Sequence, residues 1–150
     1  MNKDCGLYPL NRVMAICNTS RNEILFIRNQ DTNHANSLSL PGDFVRYGEL
    51  TEDALRRSIM HQAALRIEPI EILGIYSNID NQSGLHIIES VFVRIITNFP
   101  EIGMNTAFDQ HVWMDREQIE EAKKNINNIK IIKDYYSWRI QKSTFWSTKI

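Results

Sequence analysis

A chain of 150 residues, 43% hydrophobic and 23% charged, has the length and composition of one globular domain with room for a full core. A formal net charge of -1 supplies no field to gather nucleic acid or an anionic membrane, so neither is expected as a partner. No stretch is long and apolar enough to span a bilayer, and the N-terminal MNKDCGLYPLN lacks a signal-type apolar run, so a soluble, cytoplasmic protein is the expectation.

In chain order, Asn11 to Asn18 (NRVMAICN) and Glu23 to Arg28 (EILFIR) read as antiparallel strands. The polar connection Thr19-Ser20-Arg21-Asn22 between them has hairpin length. Cys5 and Cys17, the two cysteines, are separated by strand-like sequence and fit reduced thiols better than a disulfide framework. Asn29 to Asn36 (NQDTNHAN) is polar and aperiodic, which predicts a loop with His34 as a solvated residue.

The segment from Ser37 to Ile67 (SLSLPGDFVRYGELTEDALRRSIMHQAALRI) reads as strand, loop and helix. Leu38 and Leu40 lead into Pro41-Gly42, and a helical pattern opens near Thr51, taken as the N-cap, with Glu52 and Asp53 at the helix's positive end. Leu55, Ile59, Ala63 and Ile67 recur every four residues as a buried stripe. A helix turns about 100° per residue, so Ser58, His61 and Gln62 fall within roughly a 100° arc on the other face.

Pro69 to Ser77 is a further strand, followed by the turn-rich Asn78 to Gly84 (NIDNQSG). Leu85 to Thr97 (LHIIESVFVRIIT) carries apolar residues on both parities, as a strand covered on both faces does. A covered sheet predicts helical layers on either side, an α/β/α sandwich. Asn98 to Asp109 is a connection, His111 to Met114 (HVWM) a short strand, and Asp115 caps a helix running to Lys124. Ile129 to Ile140 (IKIIKDYYSWRI) is a last amphipathic helix packing through Ile132, Tyr135, Tyr136 and Trp138. The tail, Gln141 to Ile150, brings Phe145 and Trp146, which bury against the domain or a partner subunit.

The loop and helix from Asp43 to Leu65 resemble the signature of the Nudix family, G-x5-E-x7-R-E-U-x-E-E-x-G-U with U a bulky aliphatic. Aligned without a gap, the first glycine falls on Asp43, the early glutamate on Glu49 and the arginine on Arg57. The next glutamate falls on Ser58, the aliphatic on Ile59, the glutamate pair on His61 and Gln62, the last glycine on Ala64 and the final aliphatic on Leu65. Leu40-Pro41-Gly42 before the box, Leu73-Gly74-Ile75-Tyr76 after it and Trp113 resemble the family's flanking sequences. The resemblance covers residues 8 to 140 and implies a single domain over 1–150, with the Nudix-type α/β/α sandwich, a mixed sheet and a box loop-helix. An aromatic often stands in the family where this chain has Leu38.

That family hydrolyses nucleoside diphosphates linked to another moiety, using Mg²⁺ or Mn²⁺ held by the box glutamates. A hydroxyl, an imidazole and a neutral amide at 58, 61 and 62 are poor ligands for a hard cation, so no Mg²⁺ site is expected there. The resemblance makes Glu49, Arg57 and His61 the candidate catalytic positions. Glu49 and Arg57 also read as an ion pair tying loop to helix, and Asp43 as a turn residue bonding local amides. His61 has two readings, an exposed polar residue or a ligand for Zn²⁺ or Mn²⁺ aided by Glu49, Glu52 or Asp53. Substitute carboxylates are Glu52, Asp53 and Asp109, the last because a family carboxylate often precedes the tryptophan.

Three functional readings follow. In the first, the domain binds a nucleoside diphosphate-type small molecule without turnover, Arg46, Arg56 or Arg57 meeting phosphates and Phe44, Tyr47 or Tyr76 stacking on a base. In the second, the former catalytic face is a protein-interaction surface, as in a homodimer. In the third, the chain is a divergent hydrolase of nucleotide-sugar or ADP-ribose type with rewired residues, Asp109 and His111 among them.

Overall fold

The computed structural model describes residues 8–29, 37–69, 71–80, 83–96, 110–141 and 145–149. Cys5, His34 and Asp109 lie outside the described residues. The long strand β1 (Leu10–Thr19) is the spine. It is buried without interruption from Val13 to Thr19, because its two parities feed two cores. Met14 and Ile16 face one way, into a cluster with Phe26, Leu73, Tyr135 and Trp138. Val13, Ala15 and Cys17 face the other, against Leu55, Ile59 and Ala63. Complete burial of an aliphatic or aromatic side chain is worth about 1.5–3 kcal/mol, so both layers hold the strand in place.

β2 (Ile24–Arg28) returns antiparallel to β1 through the expected hairpin, with Asn18 opposite Ile24. β3 (Leu38–Ser39) is the short strand expected ahead of Pro41-Gly42, and β4 (Gly42–Phe44) is a short strand at positions read from the sequence as a turn. Helix α1 (Thr51–Ala63) follows, then β5 (Glu71–Ile79) and β6 (His86–Ile96). β6 runs parallel to β1 along its whole length, from Leu10 opposite Ile87 to Thr19 opposite Ile96. β7 (His111–Met114) pairs with β2. α2 (Arg116–Ala122), a 3-10 turn over Lys123–Asn125, α3 (Ile129–Gln141) and β8 (Phe145–Lys149) complete the chain. The sheet order is β3-β2-β1-β6-β5-β8, with β4 on β1 and β7 on β2, and helices cover both faces.

Several expectations are corrected here. Thr51 is the first helical residue rather than the cap; Leu50 is the cap, in extended backbone and without a side-chain bond. The helix stops at Ala63, so Ile67 is buried beyond it and not on its stripe. The expected helix from Asp115 breaks into 3-10 geometry at Lys123, while its start forms a full capping box, Asp115 with Gln118. The tail segment around Phe145 is a strand parallel to β5.

Candidate functional site

The box loop is tied to the sheet through Gly42. The amide of Ala15 donates to the Pro41 carbonyl at 3.0 Å, and Gly42 stands opposite Met14 in the β1–β4 ladder. A Cβ at Gly42 would lie 2.0 Å from the Val13 carbonyl oxygen, so nothing larger than glycine fits. Gln62 of α1 closes on this residue with both ends of its amide. Its Nε2 donates to the Gly42 carbonyl at 3.0 Å and its Oε1 accepts from the Gly42 N–H at 2.9 Å. The side chain therefore occupies both backbone polar groups of one residue and pins helix to sheet.

The loop's other anchor is Arg57. Its Nε and Nη2 hold the Glu49 carboxylate at 2.9 and 3.1 Å, Nη1 donates to Asp43 Oδ2 at 3.1 Å, and Nη2 donates to the Phe44 carbonyl at 3.0 Å. Asp43 Oδ1 also accepts the Phe44 N–H, the local turn bond expected of it. Glu49 accepts the Arg46 N–H, and the guanidinium of Arg57 holds its carboxyl down at about 2. Asp43 sits below its ordinary value too; burial pushes it up, but the Phe44 amide and Arg57 outweigh that. Arg57 is pushed up in turn by the bond to Glu49. The loop is thus closed by a charged, multidentate cross-link with its cation already engaged.

The three helix positions do not converge as the helical arc predicts. Ser58 is only 2% exposed and donates to the Leu55 carbonyl one turn back at 3.0 Å. Gln62 is half-buried on Gly42, and His61 is exposed. Among the described residues no group of three or more His, Cys, Asp or Glu is arranged to hold a metal ion. Glu52 and Asp53 are exposed, Asp53 pairing with Arg56. Arg56 also holds Glu68 at 2.9 Å, so it is engaged away from the loop. Arg46 and Tyr47 are exposed, Tyr47 fully, and Phe44 lies under the Arg12 guanidinium, 5.9 Å from its ring centre. Tyr76 is no stacking platform: it is fully buried, and its hydroxyl donates to Asp134 at 2.8 Å.

A cleft of about 290 Å³ opens on the α3 side of β1 and β6, with polar lining from Arg12, Asn78, Asp80, Glu89, Asn127 and Asn128. Met14 also lines it, so the cleft and the Gly42–Gln62 joint meet at one ladder position. Glu89 is 2% exposed and accepts from Asn128 Nδ2 at 3.3 Å. Burial raises its pKa, against the pull of Arg12 and Asn128. Arg12 is its ladder partner, and the Arg12 Nε is buried without a hydrogen-bond partner. None of these residues was singled out from the sequence. The readable signal was a charge inside each of two apolar strands, Arg12 in NRVMAI and Glu89 in HIIESVFV.

Comparison with known proteins agrees with this architecture. The NUDIX domain model matches residues 8–135. An ADP-ribose pyrophosphatase of Methanocaldococcus jannaschii is 30% identical over 118 residues, spanning 79% of this chain and 68% of that protein. Among solved structures, a NUDIX hydrolase from Nitrosomonas europaea superposes with a TM-score of 0.73 at 19% identity, covering 87% of this chain and 90% of that one. A MutT protein from Methanosarcina mazei Go1 does so with a TM-score of 0.68 at 17% identity, covering 90% and 97%. The chain belongs to the Nudix family.

Proposed function

We propose that this Nudix domain holds a nucleoside diphosphate-type ligand and has lost Mg²⁺-dependent hydrolysis through its box helix. The observation that carries the reading is the closure of Gln62 on Gly42. A hard divalent cation needs oxygen ligands, preferably anionic, and near-octahedral room. At the three box positions this chain offers a hydroxyl already donated to its own helix, an exposed imidazole and an amide with both ends engaged. These residues do not fit the cation that the family uses. Loop shape is kept by Arg57, Glu49 and Asp43 without it.

The sheet cleft supports ligand binding better than the arginines of α1, since Arg56 and Arg57 are held in ion pairs and Arg46 alone of the three is exposed and outside them. The relative from Methanocaldococcus jannaschii favours a second reading, a divergent hydrolase, because its name is that of an ADP-ribose pyrophosphatase. One experiment separates the two. ADP-ribose, nucleotide sugars, dinucleoside polyphosphates and oxidised dNTPs are incubated with the protein and Mg²⁺, Mn²⁺ or Zn²⁺, and binding of each is followed by calorimetry in parallel. Binding without turnover is the expected result; turnover of any compound overturns the loss of hydrolysis.

A further inference from the structure

The floor of the sheet cleft carries a donor and an acceptor that are neighbours without bonding each other. Arg12 and Glu89 face each other across the parallel β1–β6 ladder, so their side chains rise on the same face. Glu89 is almost wholly buried, and one of its oxygens is met by Asn128. The Nε of Arg12 is buried with no partner. Asn128 is held in this position by a left-handed backbone (φ 61°) at the start of α3, and its neighbour Asn127 is bonded to Ser39. An unsatisfied buried donor is costly, and a ligand that supplies its acceptor relieves the cost.

The charge of the cleft selects what can enter. Glu89 and Asp80 against Arg12 leave its lining short of cations, which disfavours a phosphate group inside it. A neutral, flat group with an acceptor beside two donors matches Arg12 followed by the Glu89 carboxylate. The six-membered ring edge of guanine has that order, a carbonyl oxygen, a ring N–H and an exocyclic amine. Adenine presents an amine beside a ring nitrogen and offers the carboxylate one donor instead of two.

Building on the proposal that this domain binds a nucleotide, we propose that the cleft takes the base of a guanine nucleotide, with Glu89 as the residue that sets the specificity. The exocyclic amine and ring N–H donate to Glu89, and the carbonyl accepts from Arg12. Sites built to pair a polar edge reject ligands lacking it, because the buried partners are then left unpaired.

The test is calorimetric titration of the intact protein with GDP, IDP and ADP, then of Glu89→Gln with GDP. IDP keeps the carbonyl and ring N–H and lacks only the amine. The expected order is GDP tighter than IDP and IDP tighter than ADP, with at least tenfold between the extremes. Glu89→Gln, which keeps the shape, should weaken GDP at least tenfold. Equal affinity for ADP and GDP, a preference for ADP, or a Glu89→Gln variant that binds GDP unchanged would each overturn the assignment of the edge while leaving nucleotide binding intact. Failure of all three nucleotides to bind would overturn nucleotide binding and, with it, this assignment.

Discussion

Replacing Gln62 with alanine removes both hydrogen bonds to Gly42 and nothing else of the loop cross-link. A partly buried hydrogen bond contributes about 1 kcal/mol net, so the pair is worth about 2 kcal/mol. In a domain of this size that lowers Tm by roughly 4–8 °C. Gln62→Glu keeps the acceptor for the Gly42 N–H but sets a carboxylate oxygen against the Gly42 carbonyl, where the native Nε2 donates at 3.0 Å. The loss should be at least as large, and a divalent cation should recover part of it by bridging the two oxygens, with no such gain in the native protein. Thermal unfolding by circular dichroism, with Mg²⁺ or with chelator, reads both effects. An alanine variant that melts within about 1 °C of the native chain would show that the amide does not hold the joint, on the scale of about 2–4 °C per kcal/mol. Stabilisation of the native protein by Mg²⁺ would refute the view that the joint is complete without metal.

Three further outcomes are expected. Ala64 sits in the left-handed region (φ 53°) as it ends α1, a conformation that costs a non-glycine residue about 1–2 kcal/mol, so Ala64→Gly should raise Tm by roughly 2–8 °C. Glu49 is held at about 2 in the folded chain, below its ordinary value, so the native state takes up fewer protons than the unfolded one as the pH falls. Its contribution is present above the ordinary carboxylate range and lost as the pH drops towards 2, and Glu49→Gln should flatten the acid limb of a urea-stability profile there. Cys17 is fully buried and its thiol is pushed up to about 12 by that burial, against the pull of Arg94, so peptide mapping after iodoacetamide should find Cys17 unlabelled until the protein is unfolded.

The fold was legible because its elements announce themselves by period and punctuation. The hairpin of β1 and β2, the helix from Thr51 and the doubly covered β6 each follow from apolar spacing over several residues. The apolar run at Leu38 marked β3, whereas β4 and β8 were not legible as strands. β4 has three residues, too few for a period, and β8 forms by pairing with β5. Ionic anchors close in sequence were also readable: Glu49 and Arg57 lie eight residues apart around one turn of loop and helix, and the pair forms.

The site was less legible because its geometry depends on what each side chain bonds once the layers have packed. A helical wheel places 58, 61 and 62 on one arc, but it carries no information on where β4 will lie. In the fold, Ser58 is covered and bonds its own helix, Gln62 finds the backbone of Gly42, and His61 is left in solvent. Arg56 and Arg57 looked equally suited to phosphate, yet both are consumed by carboxylates that only the folded loop and the segment after α1 bring close. The cleft shows the same limit from the other side. Arg12 and Glu89 are 77 positions apart in the chain and meet because β6 lies parallel to β1 in one register. A sequence can mark each as a charge out of place in an apolar strand; only the register makes them a pair, and a shift of one residue would turn Glu89 to the α1 face and dissolve it.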